Sequence, residues 1–355
     1  MEPTKLLNQG TFGCIYSPEI PCGSSKQTTV KNKYSPVFLS KIQITEEGEI
    51  ENNLGKQISN IPNYKNFFAP ATTLCNVDIG VINDEEISKC KVLSDTNKKF
   101  TSSRIRYVGS LNLAKFLKKY KDDDVLLIKK IIETNLYIQH SLKLLYENDV
   151  IHYDLKSNNI MMDDKYGVPI IIDFGLSFNI KQLSSNYKEF YVFYDKHPYW
   201  SIEIMLLSYF TNAHKHNKIQ FENPLDKEVV LDIIESYINK NEIFEAVFFR
   251  IEETQTYKET IINFIESTMT DRPLITIKEF MDLLIETSSS SWDTFAVAVM
   301  YMFILESANK LESQLGDSDS KSTPYHKYNS LIKQIILSFP TRPSFDEITT
   351  ILKNI

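Results

Sequence analysis

The sequence predicts an α+β protein whose N-terminal part is rich in strands and whose C-terminal part is helical. Over roughly the first hundred residues, short apolar stretches alternate with turn residues, a pattern that favours strands. Beyond them, long stretches such as 125–148 carry apolar residues at helical spacing. We therefore expect two lobes, residues 1–108 and residues 109–355. The predicted strands of the first lobe lie within residues 5–16, 37–44 and 71–108.

One helix is expected among the strands of the first lobe, at about residues 46–61. Pro62 ends it, because the residue before a proline disfavours helical geometry. Ile50, Leu54 and Ile58 recur at helical spacing and are expected to mark the packed face.

The second lobe contains a long stretch with several helical patterns. About ninety residues separate Glu203 from Asp293. Three stretches there have helical patterns, at 226–239, 256–269 and 276–285. We expect a helical insertion at about 207–287.

The segment HYDLKSNN, residues 152–159, is followed after a short apolar strand by DFG, residues 173–175. Phosphoryl transfer from ATP needs a carboxylate that orients the attacking hydroxyl and a cation that offsets charge on the transferred group. It also needs an amide and a second carboxylate that hold Mg²⁺. The residues of these types are Asp154, Lys156, Asn159 and Asp173.

With these motifs in this order, the chain resembles the eukaryotic-type protein kinases. The resemblance extends from Leu7 to about Arg342 of this sequence. The resemblance implies a bilobal protein-kinase fold, with a β-rich N-lobe and a helical C-lobe. The chain departs from the family at Tyr153, where Arg is usual, and at Asn8, where the first loop glycine is usual. It also departs in the insertion after Glu203. Its abundant Ile, Lys, Asn and Tyr make it similar to divergent kinases of large DNA viruses.

Residues 7–16, LNQGTFGCIY, resemble the kinase nucleotide loop LGxGxFGxVY. Glycines in such a loop let the backbone approach the phosphates. Two glycines three positions apart more often form an ordinary hairpin, but their place upstream of the catalytic motif favours the nucleotide loop. The resemblance implies nucleotide contacts from Asn8, Gly10, Thr11, Phe12, Gly13 and Ile15.

The family also has a strand lysine that binds the ATP phosphates and pairs with a helix glutamate. Lys41 is the expected lysine, because it lies in an apolar strand before the predicted helix. Lys31 and Lys33 are alternatives in more polar sequence. Glu51 is the expected partner of the lysine, and Glu47, one turn earlier, is the alternative.

The resemblance implies ATP and Mg²⁺ as cofactors, with Mn²⁺ as an alternative ion. Asn159 and Asp173 are the expected metal ligands, because oxygen ligands suit a hard cation. Asp154 is the expected base, and His152 is expected to brace the catalytic loop. The acidic turn 163–167 predicts a hairpin rather than a metal site.

Three features further along the chain resemble the family's C-lobe. An activation segment is expected over residues 175–200, ending in WSIE where the family has an APE-like motif. The glutamate of that motif, Glu203, is expected to pair with Arg342 in SFPTRPS. Asp293 in SWDTFA is expected to brace the catalytic loop.

Composition restricts the remaining function classes. The chain has 355 residues, a net charge of −7 and a pI near 5.5, which give no support for nucleic-acid binding or a polybasic membrane anchor. The longest apolar run, 295–305, is too short to span a bilayer. The N-terminal residues lack a signal-peptide pattern.

The four cysteines form no CxxC pair and are expected to be free thiols in a reducing compartment. They are Cys14, Cys22, Cys75 and Cys90. Together with the composition, this predicts a cytoplasmic protein, in the host cytoplasm or the virion if the chain is viral.

Lys156 favours a serine/threonine protein kinase that acts on protein substrates. In the family, tyrosine kinases usually carry Ala or Arg nearby, and small-molecule phosphotransferases with an HxDxxxxN core generally lack this lysine. The alternatives are such a phosphotransferase, or a pseudokinase or scaffold that binds partners through the insertion. The sequence does not predict the oligomeric state.

The presence of Tyr153 leads to a prediction about regulation. In many protein kinases, an arginine at this position collects a phosphate on the activation segment through charge-assisted hydrogen bonds. Tyrosine is neutral and cannot form that ion pair. We therefore expect activity without phosphorylation of residues 175–200.

Overall fold

The computed structural model describes residues 4–10, 12–20, 22, 37–94, 98–245, 248–308 and 323–355. They form two compact units. The first unit contains the described residues up to Asn112 together with Asn159–Ser177. The second contains Leu113–Asn158 and the described residues from Phe178 onward. Strands dominate the first unit and helices the second, which confirms the predicted mixture of the two.

Within the described residues, the strands are β1 (Lys5–Gln9), β2 (Cys14–Ser17), β3 (Phe38–Ile44), β4 (Phe68–Ala69), β5 (Thr73–Asn76), β6 (Phe100–Arg106), β7 (Val150–Ile151), β8 (Ile160–Met162), β9 (Pro169–Ile172) and β10 (Phe178–Asn179). The α-helices are α1 (Thr45–Ser59), α2 (Asp84–Ser88), α3 (Leu113–Lys118), α4 (Asp124–Glu147), α5 (Ile202–Lys215), α6 (Lys227–Lys240), α7 (Glu242–Glu245), α8 (Ile251–Asp271), α9 (Ile277–Ser288), α10 (Trp292–Ser307), α11 (Pro324–Leu337) and α12 (Phe345–Lys353).

The first unit is built on a five-stranded antiparallel sheet in the order β1-β2-β3-β6-β5. A second sheet has the order β4-β9-β8, in which β4 runs parallel to β9. The turn of the β8–β9 hairpin contains Gly167 at φ 66°, in agreement with the hairpin predicted at 163–167. Because β4 pairs with β9, residues 159–177 group with the first unit, whereas the sequence placed them in the second lobe.

Helix α1 packs through a face that the hydrophobic pattern predicted only in part. Leu54 and Ile58 are buried, but Ile50 is 58% exposed. The packed face includes Gly55, where an added Cβ would lie 1.8 Å from the carbonyl oxygen of Ala71. The prediction that Ile50 lies on the packed face is therefore wrong. The hydrophobic pattern could not include Gly55, because glycine has no apolar side chain.

The prediction of free thiols is also wrong. Cys14 on β2 is bonded to Cys90, and Cys22 is bonded to Cys75 on β5. Their Cα separations of 6.1 and 5.6 Å suit disulfide geometry. The partners are 76 and 53 residues apart in sequence, so only the folded chain brings them together. Cysteine usage therefore no longer supports a reducing compartment.

Helix α10 lies in the core of the second unit. All of its residues from Trp292 to Met302 are buried. A helix that is apolar on every side belongs in a protein interior, and α10 contacts α4 and α11. Helices α6, α8 and α9 lie where the sequence has its three helical patterns between Glu203 and Asp293. Among the described residues, no helix combines the length and apolar character needed to cross a membrane.

Candidate active site

The β1–β2 hairpin forms the predicted glycine loop. The backbone N–H of Gly10 donates to the carbonyl oxygen of Gly13 at 2.9 Å and closes the turn. At Gly13 an added Cβ would lie 2.7 Å from the carbonyl oxygen of Ile42, so the close approach to β3 requires glycine. Ile15 lies opposite Lys41 in the β2–β3 register.

The rest of the predicted loop has less defined contacts. Asn8 lies where the β1–β2 register shifts, and its Oδ1 accepts a hydrogen bond from the backbone N–H of Gln9 at 2.9 Å. Phe12 is partly buried. Thr11 lies outside the described residues.

Lys41 is the centre of an ion-pair network in the first unit, in which Lys41 and Glu51 are buried and the Asp173 side chain is 43% exposed. Its Nζ lies 2.7 Å from Glu51 Oε2 and 2.7 Å from Asp173 Oδ1. Burial favours the neutral amine, but the carboxylates of Asp173 and Glu51 raise the pKa of Lys41 above its usual value. Of the two candidate glutamates, Glu51 rather than Glu47 makes the contact. The two alternative lysines, Lys31 and Lys33, lie outside the described residues.

Two neighbours fix the geometry of this network. Gln43 Nε2 donates to Glu51 Oε2 at 2.7 Å. Gln43 follows Lys41 by two positions on β3, so both side chains lie on the same face of the sheet. At Gly175 an added Cβ would lie 3.3 Å from Glu51 Oε2 and 3.4 Å from Lys41 Nζ, which leaves little space for a side chain.

Asn159 and Asp173 flank the β8–β9 hairpin. Asn159 is buried and immediately precedes β8, whereas Asp173 immediately follows β9. Ile160 pairs with Ile171, which places both flanking residues at the same end of the hairpin. Their amide and carboxylate oxygens are the kind of ligands that Mg²⁺ prefers, so the donor set fits the ion.

The residues around Asp173 hold it in a restricted conformation. Its backbone has φ 62°, in the left-handed region that costs a non-glycine residue about 1–3 kcal/mol. The following residue, Phe174, is buried and makes an edge contact with Phe68 of β4, with ring centroids 6.2 Å apart. This packing and the ion pair with Lys41 offset the backbone cost.

The second unit carries the predicted base. Lys156 Nζ lies 2.9 Å from Oδ1 and 2.8 Å from Oδ2 of Asp154, so the lysine binds both oxygens of the carboxylate. His197 Nε2 lies 3.9 Å from Asp154 Oδ1. The base therefore has one cation and one imidazole beside it.

Asp293 at the start of α10 contacts the predicted catalytic loop through the expected hydrogen bonds. It accepts hydrogen bonds from the backbone N–H groups of His152 at 2.7 Å and Tyr153 at 2.9 Å. Burial raises the pKa of Asp293, and His152 and these hydrogen bonds oppose the shift. His152 is buried, and its Nδ1 accepts from the backbone N–H of Asp154 at 3.3 Å, which agrees with a structural role.

The expected pairing of Glu203 with Arg342 is present. Two hydrogen bonds of 2.8 and 3.1 Å join the guanidinium to the carboxylate, and both side chains are fully buried. Arg342 also donates to the carbonyl oxygen of Ile335 at 3.1 Å and to Ser291 Oγ at 3.2 Å. Although burial disfavours the charged form, Glu203 raises the pKa of Arg342 above its usual value.

Tyr153 is the centre of a buried aromatic cluster. Its ring contacts Phe178, Phe190 and Trp200, with centroids 5.3, 5.9 and 5.0 Å away. Its hydroxyl lies 3.1 Å from Ser208 Oγ. Trp200 Nε1 donates to the Tyr153 carbonyl oxygen at 3.0 Å. The activation segment is thus packed against the catalytic loop through apolar surface.

Three residues that contact predicted site residues or the predicted catalytic loop within their own unit were not identified from the sequence as site residues. They are Gln43, His197 and Trp200. For Gln43 the two-residue spacing from Lys41 was an available signal. His197 and Trp200 lie 43 and 46 positions from Asp154, and although Trp200 begins the WSIE motif, no motif predicts a contact of either residue with the segment that carries Asp154.

Comparison with known proteins agrees with the class of protein that these residues define. The family model described as protein tyrosine and serine/threonine kinase matches residues 91–213, about a third of the chain. The match supports the eukaryotic-type protein kinase superfamily and, with it, phosphotransferase activity. It covers tyrosine and serine/threonine kinases alike. A search of curated proteins found no match.

Proposed function

We propose that the protein is an ATP- and Mg²⁺-dependent kinase that transfers the γ-phosphoryl group to Ser/Thr hydroxyls of protein substrates. The observation that carries the proposal is the network in which Lys41 Nζ contacts both Glu51 and Asp173 at 2.7 Å. Kinase chemistry requires an ion pair between a strand lysine and a helix glutamate, together with a DFG aspartate that can bind Mg²⁺.

The first unit supplies the nucleotide-binding groups. The glycine loop presents its backbone to the phosphates, and Lys41 is available as a charged ammonium to bind them. Asn159 and Asp173 would hold Mg²⁺, with Mn²⁺ as an alternative ion. When bound, the metal offsets negative charge on the phosphates.

The second unit supplies the groups that act on the acceptor. Asp154 would accept the proton of the substrate hydroxyl, and general-base catalysis of this kind contributes about 10²–10⁴-fold in rate. Lys156 would offset the negative charge that develops on the transferred group. Its presence beside the base supports Ser/Thr rather than Tyr acceptors.

Two alternatives have less support. A pseudokinase usually lacks one of the catalytic residues, whereas Lys41, Asp154 and Asp173 are all present. A small-molecule phosphotransferase has no need of a peptide platform, whereas the Glu203–Arg342 pair stabilises the end of the activation segment where a peptide would bind.

The test is transfer from γ-labelled ATP to mixed peptides, followed by phosphoamino-acid analysis. We expect phosphoserine and phosphothreonine from the wild-type protein. Asp154→Asn and Asp173→Asn should each lower turnover by about 10²–10⁴-fold, and only Asp173→Asn should also weaken Mg·ATP binding. Asp346→Asn, at an exposed surface pair with Lys143, is the matched control and should keep full activity.

Near wild-type turnover in both active-site variants would overturn the catalytic assignment. Phosphotyrosine alone would overturn the proposed acceptor class while leaving the kinase activity in place.

A further inference from the structure

His197 is a buried imidazole beside the base that the proposed mechanism does not yet use. Its Nε2 lies 3.9 Å from Asp154 Oδ1, and both side chains are less than one-fifth exposed. Lys156 contacts the same carboxylate. The carboxylate of Asp154 therefore has two nitrogen groups of different charge near it.

Trp200 and Asn241 hold the imidazole in this position. The His197 and Trp200 rings are stacked with centroids 4.4 Å apart. Trp200 Nε1 in turn donates to the carbonyl oxygen of Tyr153, the residue before the base. Asn241 Nδ2 donates to the backbone carbonyl of His197 at 3.4 Å. The imidazole thus packs on Trp200, which is itself hydrogen-bonded to the backbone segment that carries Asp154.

The imidazole is neutral at physiological pH. The pKa of His197 is lowered to about 4, mainly by burial and to a smaller extent by Lys156, against an opposing effect of Asp154. Within the part of the chain that the structure describes, Nδ1 has no hydrogen-bond partner. If the proton were on Nδ1, the lone pair of Nε2 would face the negatively charged carboxylate oxygen and be repelled by it. The neutral imidazole therefore carries its proton on Nε2.

We propose that His197 is a positioning residue whose neutral Nε2–H group orients the Asp154 carboxylate toward the substrate hydroxyl. This inference rests on the proposed kinase function. At 3.9 Å the contact is longer than a hydrogen bond, but catalytic hydrogen bonds are commonly long without substrate and shorten in the complex. A neutral donor orients the base without adding a second positive charge that would weaken it.

Two substitutions separate positioning from simple packing. In His197→Gln the side-chain amide can replace the Nε2–H donor, whereas the shorter amide of His197→Asn cannot reach the carboxylate. We expect kcat to fall by about tenfold or more in His197→Asn and to stay within about threefold of wild type in His197→Gln. KM for ATP should change less than twofold in both. Equal kcat values for the two variants, or a loss confined to KM, would overturn the proposal.

A measurement that does not depend on enzyme activity can test the protonation state of His197. Nitrogen-15 NMR of the imidazole should show the neutral Nε2–H tautomer from pH 5 to pH 8, with the signal assigned by its loss in His197→Gln. A charged imidazole at pH 7, or an Nδ1–H tautomer, would contradict the proposal. Absence of transfer by the wild-type protein would instead refute the proposed function, and the NMR result would still decide the state of His197.

A separate set of contacts gives the inserted helices a role. Tyr187 of the activation segment is buried, and its hydroxyl donates to Asp282 Oδ1 on α9. Lys278 Nζ, one turn earlier on α9, lies 3.1 Å from the same hydroxyl. The ring of Phe221 packs edge-on against Tyr187 with centroids 5.4 Å apart.

Contacts continue along the segment beyond Tyr187. Lys215 Nζ on α5 lies 4.6 Å from the ring centroid of Tyr191. Lys240 Nζ at the end of α6 lies 3.0 Å from Asp195 Oδ2. Residues of α9, of α6 and of the C-terminal end of α5 therefore contact the segment at several successive points.

We infer that the inserted helices order the activation segment in place of a phosphate. Tyr187→Ala removes the most buried of these contacts and should speed amide hydrogen exchange of residues 184–195 at least tenfold, with exchange in α10 unchanged. Tyr166→Ala, at a tyrosine that is 68% exposed on the β8–β9 turn, is the matched control and should leave the segment unchanged. Unchanged protection of residues 184–195 in Tyr187→Ala would overturn the inference, whatever the activity of the protein.

Discussion

The first unit combines a small apolar interior with covalent and ionic cross-links, whereas the second is organised around a large apolar core. In the first unit, two disulfides and the Lys41–Asp173 pair join segments far apart in sequence. One of its apolar clusters includes the bonded Cys14 and Cys90 themselves. In the second unit, α10 is buried over most of its length.

This difference follows from how much apolar surface each unit can bury. The first unit is the smaller of the two, and small cores commonly rely on cross-links. The larger helical unit also buries an ion pair, between Glu203 and Arg342, as the first unit buries the pair between Lys41 and Glu51. Damage to the cross-links should therefore affect only the first unit, and damage to the buried pair only the second.

The largest effect is expected from breaking the buried pair. Glu203→Gln leaves the Arg342 guanidinium without its carboxylate in a fully buried site, and single-partner loss of this kind costs about 3–5 kcal/mol of unfolding free energy. Urea denaturation followed by tryptophan fluorescence measures it, because Trp200 and Trp292 both lie in the second unit.

The matched control for this prediction is Glu266→Gln, which removes a partly exposed pair with Lys227. Exposed pairs contribute about 0–1 kcal/mol. A loss in Glu203→Gln no larger than in this control would mean that the buried pair does not stabilise the second unit.

The disulfides are expected to give the next largest effect. Reduction, or the double change Cys22→Ser with Cys75→Ser, should lower the free energy of unfolding of the first unit by about 2–4 kcal/mol, because the unfolded chain gains entropy when the cross-link is removed. Hydrogen exchange should become faster in β3 and β6 and stay unchanged in α10.

A thiol titration checks that the cysteines are oxidised before the disulfides are reduced or replaced. All four cysteines are paired, so the unreduced protein should expose no thiol on unfolding. Four titratable thiols in protein purified without reductant would contradict the cross-linked first unit.

A smaller effect should separate the two glutamates of α1. Glu51→Gln removes a charge that lies 2.7 Å from Lys41 Nζ, and we expect kcat/KM for ATP to fall about tenfold, or about 1.4 kcal/mol. Glu47→Gln makes the same chemical change one turn earlier and should have less effect. The reverse ranking in initial-rate assays would assign the functional pair to Glu47.

The smallest effect is expected from removing phosphate from the activation segment. Tyr153 is neutral and packed among aromatic rings, so it gives a phosphate no cation to bind. After phosphatase treatment, with the bare segment confirmed by mass spectrometry, initial rates should stay within about twofold. A tenfold fall that rephosphorylation reverses would show that another cation, such as Lys181 or Lys188, has taken the role of the usual arginine.

The sequence by itself determined the features that depend on short spacing. Asp154 and Lys156 are two residues apart in one loop, and their contact follows from that loop. Asn159 and Asp173 flank a short hairpin, which brings them to the same end. Helix positions in the second unit were also predictable, because periodic apolar patterns persist over many residues.

Only the tertiary structure decided the features that depend on contacts between distant segments. The disulfide pairing, the exposed position of Ile50 and the place of His197 beside Asp154 have no local signature. The Glu203–Arg342 pair spans 139 residues, and it was expected only because both residues lie in motifs that resemble a known family. Side-chain spacing along a strand or helix constrains near neighbours, whereas long-range contacts depend on how the whole chain packs.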